Sequence, residues 1–331
     1  MFDGEGFRGA VGVVVIGRNE GERLRTCFDS IAKWADWTVY VDSGSTDRSV
    51  AMARSKGIGV VELDMSIPFT GARARNEGLW RLLQLAPDLA YAQFVDGDSE
   101  IVDGWLEKAA AFLDDHGDVA VVSGRLREKY PERSIYNMLC NIEWDKPLGD
   151  AKACGGIAMM RVGAFQSVRG FRADLIAGEE PELCVRLRAA GWRVWCLGDE
   201  MALHDAAILR FGQWWKRMLR GGYACAQGAY LHGAPPERHC VRETISIWFW
   251  GLFIPAGVLG VALWWGASAL VLFLIYPLQI VRLAMRGMRS TRQNWWHAGA
   301  LVLGKFPEML GQMKFLIYRY LGGPSRLIEY K

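Results

Sequence analysis

The chain has 331 residues, of which 51% are hydrophobic, and its formal net charge is +3. This length allows one large α/β domain or two ordinary ones. The nearly balanced charge argues against a protein that binds nucleic acid, because such a protein needs a dense basic face.

Strand and helix patterns alternate regularly in the first third of the chain. Short apolar runs predict strands at 11–16, 38–41, 60–63, 91–95 and 119–122, and helical spacing predicts helices at 22–33, 47–56, 72–85 and 104–115. Ser45 or Thr46 is expected to cap the second helix. A further helix is predicted between Pro181, in its first turn, and Gly191, just past its end. The alternation predicts an α/β fold with a doubly wound, mainly parallel sheet covered on both faces.

A long uncharged segment, residues 244–281, predicts a membrane hairpin. As one helix it would measure about 57 Å at ~1.5 Å per residue, against a hydrocarbon core of ~30 Å. We therefore predict two spans that turn near residues 264–268, with both ends in the cytoplasm because arginines flank both sides: Arg238, Arg242, Arg282, Arg286, Arg289 and Arg292. A buried helical pair in a soluble protein remains an alternative, and Pro255 and Pro277 also allow a re-entrant pair.

The segment from Trp295 to Tyr320 mixes apolar and charged residues at helical spacing. This pattern predicts a helix that lies in the membrane interface, with a core-packing helix as the alternative. We therefore predict a catalytic domain at 1–240, a transmembrane hairpin at 241–283 and a cytoplasmic or interfacial tail at 284–331.

Seven cysteines are scattered along the chain, and none forms a C-x-x-C pair. Their odd number and their spacing predict reduced thiols in a domain that faces the cytosol. The apolar run at 11–16 is too short for a signal peptide, and the charged Arg18 and Glu20 follow it.

Polar side chains follow three of the predicted strands, and in such sheets ligands bind at the carboxyl ends of strands. Asn19 and Glu20 follow the first strand, Asp42 ends the second, and Asp96 follows the fourth. These residues are therefore candidates for binding a nucleotide. Asp42 could accept hydrogen bonds from a base or from ribose hydroxyls, although an Asx turn explains it as well.

Asp96 and Asp98 are the candidate metal ligands. Two carboxylates one residue apart at a strand end suit Mg²⁺ or Mn²⁺, and a cation there would neutralise a diphosphate leaving group. As a bare motif, D-x-D is more often a solvated turn. His204 is a candidate third ligand, with a structural histidine bonded to the backbone as the alternative.

Glu179 and Glu180 are the candidate catalytic bases, since they lie just before a helix that has Glu182 in its first turn, and the three carboxylates repel one another. Ordinary helix capping is the alternative. Arg75, near the start of another helix, suits phosphate binding, with a solvated helix face as the alternative.

The basic and aromatic segment from Gln213 to Arg217, with Arg220, precedes the hairpin. It could bind a diphosphate or a lipid headgroup, or it could simply anchor the chain at the interface.

Five segments occur in an order and spacing that resemble the family 2 inverting glycosyltransferases of the GT-A fold, over residues 11 to about 220. They are Arg18-Asn19-Glu20, Asp42-Ser43-Gly44-Ser45-Thr46-Asp47, Ala74-Arg75-Asn76-Glu77-Gly78, Asp96-Gly97-Asp98 and Gly178-Glu179-Glu180-Pro181-Glu182. The resemblance implies a nucleoside-diphosphate-sugar donor, a metal at Asp96 and Asp98, nucleotide contacts from Asp42 and a catalytic base in the Glu179-Glu180 pair.

Two segments depart from the family pattern. The family often has Glu-Asp where this chain has Glu179-Glu180, and of the two we favour Glu180 as the base. The Gln-x-x-Arg-Trp motif of processive synthases is not matched after Gln213, which favours the transfer of single sugars.

The sequence therefore predicts an inverting, metal-dependent hexosyltransferase of the cytoplasmic membrane. Its position beside a membrane suggests a lipid-linked acceptor, such as a polyprenyl-linked glycan for surface polysaccharide or glycolipid. A nucleotidyltransferase is one alternative, but Arg18-Asn19-Glu20-Gly21 is a poor match to the glycine-rich basic loop such enzymes usually carry. A catalytically inactive membrane scaffold is the other alternative, and retention of the whole acidic set argues against it.

Overall fold

The computed structural model describes residues 11–322, apart from the side chain of Ala35. The predictions for residues 1–10 and 323–331 lie outside the described residues. The chain forms two compact units. The first runs to Tyr130 and includes Cys140–Ala206, and the second comprises Pro131–Leu139 and the residues from Ala207 onward.

The first unit is built on a nine-stranded sheet. Its strands are β1 (Val11–Gly17), β2 (Thr38–Asp42), β3 (Gly59–Glu62), β4 (Tyr91–Asp96), β5 (Ser99–Ile101), β6 (Val119–Glu128), β7 (Gly149–Asp150), β8 (Ala158–Arg161) and β9 (Arg193–His204). The five predicted strands are all present, and β6 continues six residues further than predicted. Strands β5, β7, β8 and β9 were not predicted from the sequence.

The sheet is mixed, so the prediction of a mainly parallel sheet holds for β1 to β4 and for the pairing of β6 with β9. The strand order is β3-β2-β1-β4-β8-β6-β9-β5, and β7 pairs with β9. Strands β1 to β4 pair in parallel, but β8 runs antiparallel to both β4 and β6, and β5 runs antiparallel to β9. Only Gly97 and Asp98 separate β4 from β5 in the chain, yet β5 pairs with β9 and not with β4.

Helices cover both faces of the sheet. The helices in this part of the chain are α1 (Glu22–Ser30), α2 (Ser49–Ser55), α3 (Gly71–Leu85), α4 (Trp105–Asp115), α5 (Ile135–Trp144), α6 (Val162–Ser167) and α7 (Glu179–Ala189), with a 3₁₀ segment at Ala32–Trp37. Phe28 and Leu106 pack in the core on one face of the sheet, and Leu82 and Leu187 pack on the other. Each face buries apolar side chains, which is the layer arrangement that the alternating pattern predicts.

The start of α2 differs from the prediction. The helix begins at Ser49, and the carboxylate of Asp47 accepts the backbone N–H of Ser49 at 2.9 Å. Ser45 and Thr46 do not cap it, because both bond to Asn19 instead. An aspartate two residues upstream supplies the acceptor that the first turn needs.

The second unit is helical. Its helices are α8 (Phe211–His232), α9 (Val241–Trp265), α10 (Ala267–Arg286), α11 (Thr291–Leu303) and α12 (Lys305–Leu321). By packing, residues 207–240 belong to this unit, since α8 lies along α12. The catalytic domain at 1–240 stays a prediction. Gln213 caps the start of α8 by accepting backbone N–H groups from Leu209 and Arg210.

The predicted hairpin is present as helices α9 and α10, which meet at Gly266 with φ of 90°. The most apolar 18-residue stretch of each helix has a mean hydropathy of 1.8, and only 17% and 11% of these stretches are buried. At ~1.5 Å per residue the helices measure about 37 Å and about 30 Å, enough to cross a bilayer. By length and composition both could span a membrane, and their exposure is unlike that of a core helix pair.

Helix α12 combines the two arrangements that the sequence left open. Pro307, Gly311 and Phe315 on one face are buried, and this face packs on α8. Leu310, Met313, Ile317 and Tyr320 on another face are exposed. The core-packing alternative is therefore correct for one face, while a second apolar face remains uncovered among the described residues.

Candidate active site

Three side chains converge to form a candidate metal site. Asp96 ends β4, Asp98 precedes β5, and His204 ends β9. The antiparallel pairing of β5 with β9 places Ser99 opposite His204 and so brings the histidine next to Asp98. One ligand atom from each of the three residues lies within 4.8 Å of the others.

The donor set fits a divalent cation. The Nε2 atom of His204 lies 3.1 Å from Oδ1 of Asp98. Neighbouring ligands of a six-coordinate ion with bonds of ~2.1 Å are about 3.0 Å apart. Three protein ligands also leave coordination positions open, as a catalytic site requires. The alternative of a histidine bonded to the backbone is wrong, because the imidazole bonds to Asp98.

Arg75 lies at the centre of a second cluster, of carboxylates. Its guanidinium is 2.8 Å from Asp96 Oδ1, 2.9 Å from Glu179 Oε1 and 3.2 Å from Glu180 Oε1. Burial alone would disfavour the charged guanidinium, but the three carboxylates raise the pKa of Arg75. The alternative of a solvated helix face is therefore wrong for this residue.

The two candidate bases differ in environment. The Glu179 side chain is 6% exposed and accepts a hydrogen bond from Arg75, whereas that of Glu180 is 14% exposed. Burial, together with the charge of Glu179, raises the pKa of Glu180 to about 7, although Arg75 opposes the shift. A carboxylate with such a pKa is suited to accept a proton near neutral pH.

Gly156 allows the backbone to approach both clusters. A Cβ atom at this position would lie 2.5 Å from Nη2 of Arg75, 3.1 Å from Oδ2 of Asp96 and 3.2 Å from Oε1 of Glu180. Any other residue would displace these groups. Gly156 was not predicted as a site residue, although the Gly155-Gly156 dipeptide signals a close approach of the backbone.

Asp42 is engaged in its own turn. Its carboxylate accepts hydrogen bonds from the Tyr40 hydroxyl at 2.9 Å and from the backbone N–H groups of Gly44 and Ser45 at 3.0 and 2.8 Å. This is the Asx turn given as the alternative. A carboxylate has about four acceptor positions, so these three hydrogen bonds leave about one.

Asn19 and Glu20 lie at the same edge of the sheet. Asn19 has a positive φ of 56°, and its side-chain oxygen accepts the backbone N–H of Thr46 at 2.7 Å. Glu20 forms an ion pair with Arg23 at 2.7 Å. Asn19 therefore ties the loop after β1 to the turn after β2.

Glu182 does not join the other two glutamates. It is buried and forms an ion pair with Arg186 at 2.7 Å, one turn along α7. Repulsion among three carboxylates at this helix start is thus reduced to the pair of Glu179 and Glu180.

Two further residues that the sequence analysis missed lie beside His204. Glu128 is buried and accepts backbone N–H groups from Tyr130 and Ala206, which joins the chain after β6 to the chain after β9. The ring of Trp144 contacts His204, with ring centroids 4.7 Å apart. No motif marks either residue, since both depend on which strands meet.

A cavity of about 140 Å³ adjoins Asp98. Carboxylates, the cations Arg23 and Lys129 and the ring of Tyr130 line it. These side chains can donate hydrogen bonds to a ligand that is rich in hydroxyl groups and can accept hydrogen bonds from it.

The chain is similar to known proteins in sequence and in fold. Residues 12–169 match the sequence profile of Glycosyl transferase family 2. The structure resembles the mannosyltransferase PcManGT from Pyrobaculum calidifontis, solved with GDP-mannose and Mn²⁺, at 19% sequence identity and a TM-score of 0.55, covering 93% of this chain and 87% of that one. A Mycobacterium tuberculosis glucosyl-3-phosphoglycerate synthase, solved with Mn²⁺ and UDP-glucose, is 18% identical with a TM-score of 0.49, covering 71% of this chain and 85% of that one.

The match over residues 12–169 thus identifies a family 2 glycosyltransferase domain in this part of the chain, and the structure has the GT-A fold. The family and the fold class predicted from the sequence motifs are confirmed.

Proposed function

We propose that this chain is an inverting, metal-dependent hexosyltransferase that uses a nucleoside-diphosphate-sugar donor. The observation that carries the proposal is the convergence of Asp96, Asp98 and His204 beside the Arg75–Glu180 cluster. The mannosyltransferase that this chain resembles was solved with GDP-mannose and Mn²⁺, which supports the same ligand class here.

Asp96, Asp98 and His204 would hold the divalent cation. Bound there, the cation would supply positive charge to the departing diphosphate. Asp42 would contact the nucleotide, with Asn19 and Glu20 at the same edge. Arg75 stays a predicted phosphate contact, and its ion pairs support a second role, which is to hold Asp96 and the glutamates in place.

Glu180 would act as the base. Its carboxylate takes the proton of the acceptor hydroxyl while the acceptor oxygen bonds to the anomeric carbon from the side opposite the leaving group. The bond from the anomeric carbon to the diphosphate oxygen breaks, and the nucleoside diphosphate leaves with that electron pair. A single displacement of this kind inverts the anomeric configuration.

We further propose that helices α9 and α10 attach the chain to the cytoplasmic membrane and that the acceptor is lipid-linked. The exposed apolar surface of both helices supports this placement. Arginines follow the hairpin, and the acidic residues in the described part from 207 onward are limited to Glu237, Glu243 and Glu308, as expected for cytoplasmic flanks. A polyprenyl-linked glycan in surface polysaccharide or glycolipid synthesis fits such a site.

The test uses the full chain in detergent with a panel of nucleotide sugars. A bound donor should raise the melting temperature in the presence of Mn²⁺ but not with EDTA. Asp98→Asn should abolish this shift, whereas Asp103→Asn, at a side chain that is 85% exposed, should keep it.

The donor so identified is then supplied in labelled form with a membrane lipid extract. Label should enter the organic phase with wild type and not with Asp98→Asn. Full transfer in EDTA contradicts the metal-dependent mechanism, and donor binding without transfer or hydrolysis favours the inactive scaffold.

A further inference from the structure

The two ring nitrogens of His204 differ in their surroundings. Nε2 bonds to Asp98, while Nδ1 is buried and has no hydrogen-bond partner among the described residues. A histidine that binds metal through one nitrogen usually donates its other N–H to a carboxylate, a carbonyl or water, which fixes the tautomer and the ring orientation. In the described part of the chain, no carboxylate or carbonyl does this for His204.

The indole of Trp144 packs against the imidazole. The ring planes meet at 84° and the centroids are 4.7 Å apart, so the edge of one ring meets the face of the other. In such a pair an N–H at the ring edge can point to the electron-rich face of its neighbour.

The backbone of His204 is held without Trp144. The carbonyl oxygen of His204 accepts the N–H of Lys129 at 2.9 Å, and the next residue, Asp205, donates to Asp98 O at 3.0 Å. These bonds leave the side-chain torsions of His204 unfixed. The indole of Trp144, packed against the imidazole, restricts rotation about them.

We propose that Trp144 is a positioning residue of the metal site, whose indole holds the His204 imidazole so that Nε2 stays beside Asp96 and Asp98. The inference rests on the proposed function only in treating these three residues as a metal site. Trp144 does not itself supply a ligand, so it acts entirely through His204.

The test measures Mn²⁺ affinity by electron paramagnetic resonance of the free ion, on the full chain in detergent. Trp144→Leu should weaken binding about 10-fold or more, the usual effect of losing an outer-shell partner. Trp144→Phe should retain most of the affinity, because it keeps an aromatic face. Trp80→Leu, at a side chain that is 70% exposed on α3, is the control and should change nothing.

A double-mutant cycle with His204→Ala separates positioning from general packing. If Trp144 acts through His204, Trp144→Leu has no further effect in the His204→Ala background. An equal loss in both backgrounds overturns the proposal, as does a loss with Trp144→Phe as large as with Trp144→Leu, unchanged affinity in Trp144→Leu or a wild type that does not bind Mn²⁺.

The outcomes for the two proposals are separable. A wild type that binds Mn²⁺ but transfers no sugar contradicts the proposed function, while the cycle still tests the role of Trp144. Thermal unfolding of each variant identifies any that fail to fold, and Trp144→Phe then carries the comparison.

Discussion

In the candidate active site, a positively charged arginine is buried among negatively charged carboxylates. Arg75 is 4% exposed and bonded to carboxylates from β4 and from α7. Removing one partner of such a buried group costs more than the bond itself, because the remaining charges lose their compensation. The same cluster raises the pKa of Glu180, because burial and the charge of Glu179 outweigh the lowering effect of Arg75.

The raised pKa of Glu180 predicts a pH-dependent stability. The folded protein holds this proton up to about pH 7, whereas an unfolded glutamate loses it near 4.5. The contribution to stability is therefore complete below about pH 4.5 and is lost as the pH rises through about 7. In metal-free protein, the melting temperature of wild type should fall relative to Glu180→Gln between pH 5 and 8.

Glu77→Gln, at an exposed position on α3, is the matched control and should follow the wild-type curve. Parallel curves for wild type and Glu180→Gln would show that the carboxylate has an ordinary pKa. If Glu180 is the base, Glu180→Gln also lowers the rate of transfer by about 10²–10⁴.

At the scale of elements, helices α8 and α12 approach each other through glycines. A Cβ atom on Gly222 would overlap the backbone of Glu308, and one on Gly311 would overlap the carbonyl of Leu219. Such contacts are backbone to backbone, so no side-chain movement relieves them. This close packing explains why α12 buries one face although its sequence also suits a membrane interface.

Gly222→Ala should therefore destabilise the protein by about 1–3 kcal/mol, as overpacking does. Gly221→Ala in the same helix is the control, because a Cβ there meets nothing within 4 Å. It should stabilise by up to ~1 kcal/mol through helix propensity. Thermal or denaturant unfolding in detergent measures both, and equal effects of the two variants would contradict the close approach.

At the scale of the whole molecule, a hairpin with basic flanks predicts a definite topology. In cells, a cysteine at exposed Ser268, beside the Gly266 turn, should react with an impermeant maleimide from outside. A cysteine at Met288, which is 95% exposed, should react only after the membrane is permeabilised. Labelling of both positions only after permeabilisation would instead support a re-entrant or surface-bound pair.

Local patterns in the sequence were sufficient for much of the fold and the site. The strands β1 to β4, the Asp96-Gly97-Asp98 turn, the glutamate pair at the start of α7 and the hairpin turn near Gly266 were all predicted. Each depends on residues close together in the chain, where the periodicity of apolar side chains and the length of a run reflect burial directly.

The tertiary structure decided the features that join distant segments. The pairing of β5 with β9 brings His204 to Asp98, the packing of α3 brings Arg75 to the carboxylates, and Trp144 reaches His204 from the end of α5. The antiparallel strand pairings that make the sheet mixed also join segments that are distant in the chain. Strand pairing and side-chain convergence follow from the lowest free energy of the packed whole, and no short sequence pattern encodes that choice.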